Sequence, residues 1–180
     1  PFFIYVCLTA LLLAGCAANA PGVKSAAEID QIEKIAGDLF LEGKMAEVKK
    51  DWPAAITSYT EALQYDPESD EIAYALAKSY LMDGKNRTSL MYTKMAVRLK
   101  PVEAAYWQLL QYLEEQENRI DKAAEALEMY LKLKPDHEVN HDLKLAQYYF
   151  TMGKNKSAKK LLLERARDDH STAEEVANIA

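Results

Sequence analysis

Cysteine is missing from this chain after residue 16. Its two cysteines, Cys7 and Cys16, both fall in the N-terminal apolar stretch. No disulfide can staple the rest, and no thiolate metal site can form there. Glycine and proline are scarce, six of each in 180 residues, which leaves little room for long loops or low-complexity sequence. Basic charge is not in excess: 22 Lys and Arg face 28 Asp and Glu, a net charge of −6. A nucleic-acid backbone is therefore not an expected partner. G-x-G, P-loop and G-x-S-x-G motifs are all absent, so nucleotide and hydrolase chemistry have no local signature.

Charge is also absent before Lys24. Residues 2–15 read FFIYVCLTALLLAG, of signal-peptide length and short for a membrane-spanning helix. They end in Leu13-Ala14-Gly15-Cys16, which resembles the lipobox of bacterial lipoproteins. The resemblance implies that Cys16 carries at least a diacylglyceryl group and becomes the new N-terminus. Two acyl chains suffice for stable anchoring at roughly 0.8 kcal/mol per buried methylene. Ala17 stands where an Asp would imply retention at the inner membrane, so the resemblance points to the outer membrane. The expected location is the bacterial cell envelope, lipid-anchored and facing the periplasm. The chain starts at Pro1 without Met or a basic n-region, so a truncated start is expected. Residues 1–15 are read as signal peptide and 16–25 as acylated cysteine and tether. Extended, residues 17–24 reach at most about 30 Å.

What is present is a period. Pro67, Pro101 and Pro135 stand 34 residues apart, and so do Ala55, Ser89 and Ala123. A fixed period of that size marks a stack of like units that present the same surface to each neighbour. Ser25-Ala-Ala-Glu28 is a capping box, and Ile29, Ile32, Ala36, Leu39 and Phe40 form one face of a helix that runs to about Lys49. Asp51 to Pro53 interrupts it, and a second helix over about 54–65 stops at Pro67. The plan returns with breaks at Gly84 and at Glu117–Asn118, and with helices over about 87–99 and 121–134. Leu145-Ala146-x-x-Tyr149-x-x-x-Gly153 repeats Leu76-Ala77-x-x-Tyr80-x-x-x-Gly84 two units later, with one residue added. A last helix is expected over about 156–167, and a further one from a cap at Ser171 or Thr172.

These residues resemble the tetratricopeptide repeat family, whose 34-residue pattern is W-x2-L-G-x2-Y, A-x3-F, P. Trp107-x-x-Leu110, Ala55-x-x-x-Tyr59-x-x-Ala62-x-x-x-x-Pro67 and Leu76-Ala77-x-x-Tyr80 carry the likeness, which covers residues 36–170. Gln111 replaces the family glycine, and Glu114 and Thr93 stand where aromatics are usual. The resemblance implies an all-α solenoid of about four hairpins over residues 26–170, with repeats near 26–67, 68–101, 102–135 and 136–170. Residues 171–180 begin another helix, and continuation beyond residue 180 is expected, because a terminal repeat needs a polar cap.

One motif suggests chemistry. His137-Glu138-Val139-Asn140-His141 spells H-E-x-x-H, which on a helix can bind zinc with the Glu as general base. It opens two residues after Pro135, with Asp136 as natural N-cap, so His137 falls at a frayed edge. The match is read as fortuitous, and no metal, cofactor or catalysis is expected. A late basic cluster, Lys154, Lys156, Lys159, Lys160, Arg165 and Arg167, is read as a solvated face.

In the family, the first helix of each hairpin lines a concave groove. The matching positions are Phe40, Lys44, Tyr74, Lys78, Leu81, Gln108, Tyr112, Leu143 and Gln147, suited to an extended peptide or a partner helix. The expected function is a membrane-anchored periplasmic adaptor that binds protein segments in envelope assembly. Two alternatives are a docking arm of an enzyme whose catalytic domain lies beyond residue 180, and a zinc hydrolase on His137 and His141.

Overall fold

The structure, a computed structural model, describes residues 25–136 and 138–179, with side chains through Arg167. Cys7, Cys16, the tether and His137 lie outside the described residues. Eight helices follow one another among the described residues: α1 Ala26–Val48, α2 Trp52–Tyr65, α3 Asp70–Met82, α4 Asn86–Leu99, α5 Ala104–Gln116, α6 Ile120–Leu133, α7 Val139–Thr151 and α8 Asn155–Ile179. None is long and apolar enough to cross a membrane. Successive helices pack on one another, within each hairpin and from one hairpin to the next.

Local chemistry sets these boundaries. The capping box forms as expected: Ser25 Oγ accepts from the Glu28 amide, and the Ser25 amide donates to the Glu28 carboxylate at 2.7 Å. Asp51 caps α2 by accepting from the Ala54 amide at 3.1 Å. Pro53 therefore sits inside the first turn rather than in the interruption, because its missing N–H costs nothing there. The second helices α2, α4 and α6 end at Tyr65, Leu99 and Leu133, two residues before the periodic prolines.

The core is a row of small contacts under large side chains. Ala55, Ser89, Ala123 and Ala158 are fully buried, one per second helix, where each hairpin closes. Ser89 is tolerated because its hydroxyl donates to the Ala77 carbonyl across the hairpin at 2.8 Å. Tyr59, Leu76, Leu113 and Leu127 are the largest fully buried apolar side chains, each worth about 1.5–3 kcal/mol by burial. Thr93, in an aromatic's place, satisfies its hydroxyl on the Ser89 carbonyl. Its neighbour Tyr92 stacks on Tyr80 at 5.5 Å.

Two expectations need correction. First, α8 is one continuous helix from Asn155 to Ile179, not two with a new start at Ser171 or Thr172. No Pro or Gly stands between Lys154 and Ala180, and an interior Ser or Thr costs less than about 0.7 kcal/mol. Second, the N-cap of α7 is Glu138, not Asp136.

Candidate interaction face

The first helices α1, α3, α5 and α7 are joined side by side through their side chains. Lys78 on α3 reaches Glu47 on α1 at 3.2 Å. Tyr74 on α3 packs on Tyr106 of α5 at 4.5 Å between centroids, and the Tyr106 hydroxyl donates to Asp70 at 2.5 Å. Lys144 on α7 meets Glu115 of α5 at 2.5 Å, and Gln111 donates to the Tyr148 hydroxyl at 2.5 Å. Three columns of residues at equal register run across these helices. Phe40, Tyr74, Gln108 and Leu143 form the first, and Lys44, Lys78, Tyr112 and Gln147 the second. Glu47, Leu81, Glu115 and Phe150 form the third.

The nine expected groove residues divide into two sets. Phe40, Lys44, Tyr74, Lys78 and Leu81 are half-buried and partly spent on holding the stack. Phe40 leans on Tyr59, and Leu81 packs on the central core. Lys44 and Lys78 both ion-pair with Glu47, at 3.0 and 3.2 Å, each over an aromatic ring. Glu47 also accepts from the Tyr59 hydroxyl at 2.9 Å. Burial pushes its carboxyl up, but the bonds from Lys44, Tyr59 and Lys78 outweigh that and hold it below the usual range. Burial and the Glu47 carboxylate together push the Tyr59 phenol far up.

Gln108, Tyr112, Leu143 and Gln147 form the second set and are exposed. Sequence reasoning missed Phe150, which is also exposed and follows Leu143 and Gln147 at i+7 and i+3 on the same face of α7. Its register with Leu81 was a usable signal. The C-terminal half of this face is thus apolar and amide-rich, with its one ammonium, Lys144, tied to Glu115.

Glu114, in the place of an aromatic, is 2% exposed. It is clamped between Lys94 on α4, at 2.7 Å, and Arg119 before α6. The aromatic's packing role is filled instead by an ion pair linking three segments.

Of the H-E-x-x-H pattern, His137 lies outside the described residues, Glu138 is the N-cap of α7 and His141 stands in its first turn. His141 packs against Tyr130 at 5.0 Å. Among the described residues, no group of three or more His, Cys, Asp and Glu gathers as a metal site.

Residues 49–84 match the family model described as a TPR repeat. No curated protein matches the chain in sequence. Among solved structures, the crystal structure of MamA is similar with a TM-score of 0.65 and 20% identity, over 82% of this chain and 88% of that one. The first TPR of Spaghetti (RPAP3), bound to the HSP90 peptide SRMEEVD, gives 0.60 and 17%, over 67% and 95%. The TPR2B domain of yeast Sti1, in its pHsp70 complex, gives 0.55 and 20%, over 67% and 98%. The chain carries a tetratricopeptide repeat within an all-α solenoid of tetratricopeptide type.

Proposed function

We propose that this chain is a membrane-anchored adaptor that holds a partner's peptide segment across the first helices of its C-terminal half. The observation that carries the reading is the exposure of Tyr112, Leu143 and Phe150 beside the amides of Gln108 and Gln147. Apolar side chains supply affinity, and flanking amides pair with the backbone of an extended segment. In the N-terminal half, Lys44, Lys78 and Glu47 neutralise one another in part, so that region serves more to align the repeats. Two structural neighbours bind a peptide or Hsp70 partner on the same fold, which supports binding as the role but not the partner's identity.

A random peptide library displayed on phage tests this. Peptides selected on the full chain should carry apolar residues and lose at least about tenfold in affinity on Tyr112→Ser/Leu143→Ser, each truncated anchor costing on the order of 1 kcal/mol or more. The control Met91→Ser, on α4, should bind normally. Equal loss in the control, or none in the double variant, would reject the site.

The envelope location rests on the lipobox-like Leu13-Ala14-Gly15-Cys16. Acylated Cys16 would hold the solenoid close to the bilayer on its periplasmic side, where assembly of envelope proteins would use such an adaptor. Cys16→Ser should move the protein from the membrane pellet to the soluble fraction, and continued sedimentation with membranes would refute the anchor.

A further inference from the structure

On α5 and α7, the helices that present the proposed peptide-binding face, every charge already has an opposite partner. Their Asp, Glu and Lys residues are Glu114, Glu115, Asp142 and Lys144, and neither helix carries Arg. Glu114 lies buried between Lys94 and Arg119. Glu115 and Lys144 meet each other at 2.5 Å. Asp142, also buried, lies 3.6 Å from Arg165 of α8. Burial pushes the Glu115 carboxyl up, but bonds from Lys144, Tyr148 and Gln111 outweigh that and hold it below the usual range. The Glu115–Lys144 pair therefore stays ionised and mutually neutral. His141 packs on Tyr130 of α6, and on adjoining α3 the one ammonium, Lys78, is tied to Glu47 at 3.2 Å.

What remains uncommitted on this face is uncharged. Tyr112, Leu143 and Phe150 are 43%, 51% and 44% exposed. The side-chain amides of Gln108 and Gln147 bond to no described residue, whereas that of Gln111 is taken up by Tyr148. A primary amide offers both donor and acceptor, which suits the N–H and C=O that an extended chain repeats at each residue. A carboxylate set among these groups would lose water and meet no free counter-ion.

We infer that this face selects an internal, uncharged, apolar stretch of its partner and discriminates against a chain's terminal carboxylate and against acidic segments. The inference rests on the peptide-binding reading above and adds to it the class of segment. Discrimination comes from withheld charge as much as from contact: tying Lys78 and Lys144 to glutamates leaves no ammonium here to meet a carboxylate.

Fluorescence polarisation with the full chain in non-ionic detergent tests it. The strongest peptide from the phage selection is made in three forms: with blocked ends and neutral residues on both sides, with its apolar stretch ending in a free carboxylate, and with Glu on both sides. The neutral form should bind tightest, and each of the others at least about fivefold more weakly. The acidic peptide SRMEEVD, bound by one structural neighbour, should not displace the neutral form. Glu115→Gln frees the Lys144 ammonium and should narrow the gap between the carboxylate and neutral forms by up to about fivefold. Equal or tighter binding of the carboxylate or Glu-flanked form, still lost on Tyr112→Ser/Leu143→Ser, overturns the inference and leaves the site standing. Displacement by SRMEEVD does the same. If the binding of no form depends on Tyr112 and Leu143, the site itself falls and takes the inference with it.

Discussion

At the scale of single residues, two close contacts decide how hairpins shut. Gly43 sits where a Cβ would lie 2.4 Å from the buried ring of Tyr59, and that ring is held by Glu47. Gly43→Ala should lower the thermal unfolding midpoint by circular dichroism. Overpacking costs about 1–3 kcal/mol, against about 1 kcal/mol gained in helix propensity. Gly37→Ala is the internal control: nothing lies within 4 Å, so it should raise the midpoint. Glu114 is the second case. Burial pushes its carboxyl up, but Lys94 and Arg119 more than offset this and hold it below the usual range. Such a group stabilises the fold above its unfolded pKa, near 4.3, and that contribution is lost as pH falls through the lower folded value. Glu114→Gln should cost about 1–3 kcal/mol at pH 7 in urea titrations, because half-exposed Lys94 and Arg119 limit the penalty. Its deficit should narrow below about pH 4. Neither contact was read from the sequence. The periodicity marked Glu114 as a departure, but its cationic partners come from a neighbouring helix and a following turn. No one-helix pattern brings Lys94 and Arg119 to one carboxylate.

At the scale of elements, the turn inside each hairpin repeats one backbone device. Lys50, Gly84, Asn118 and Gly153 all have positive φ, between 57° and 74°, at matching places in the four turns. Only glycine takes that conformation freely, and another residue there costs roughly 1–2 kcal/mol, less for Asn. Lys50→Gly should therefore stabilise the chain by up to about 1 kcal/mol, and Gly84→Ala should destabilise it by about as much, both measurable by chemical unfolding. Helices and their order were legible in the sequence because proline spacing, small residues and apolar stripes all repeat in one register. The last described helix was less so: Ser171 looks like a cap in isolation, yet nothing upstream stops α8. A cap residue signals a start only where a breaker precedes it.

At the scale of the whole molecule, the repeating register turns four short first helices into one continuous face. The first two columns of that face were legible in the sequence through family spacing. Which members stay free was not, because pairing among Lys44, Glu47 and Lys78 depends on how α1 and α3 lie together. Of the third column only Leu81 was read, and exposed Phe150 was missed for a related reason: Glu47 and Glu115 look like solvated charges until the fold ties them to lysines. The account therefore predicts that partners are met at α5 and α7, and not on the second helices. Photo-crosslinking in intact cells asks this most directly, with a benzophenone side chain placed at Tyr112 or, on the opposite helix layer, at Met91. The account predicts one discrete adduct from Tyr112 and none from Met91. Equal labelling from both, or an adduct from Met91 alone, would contradict it.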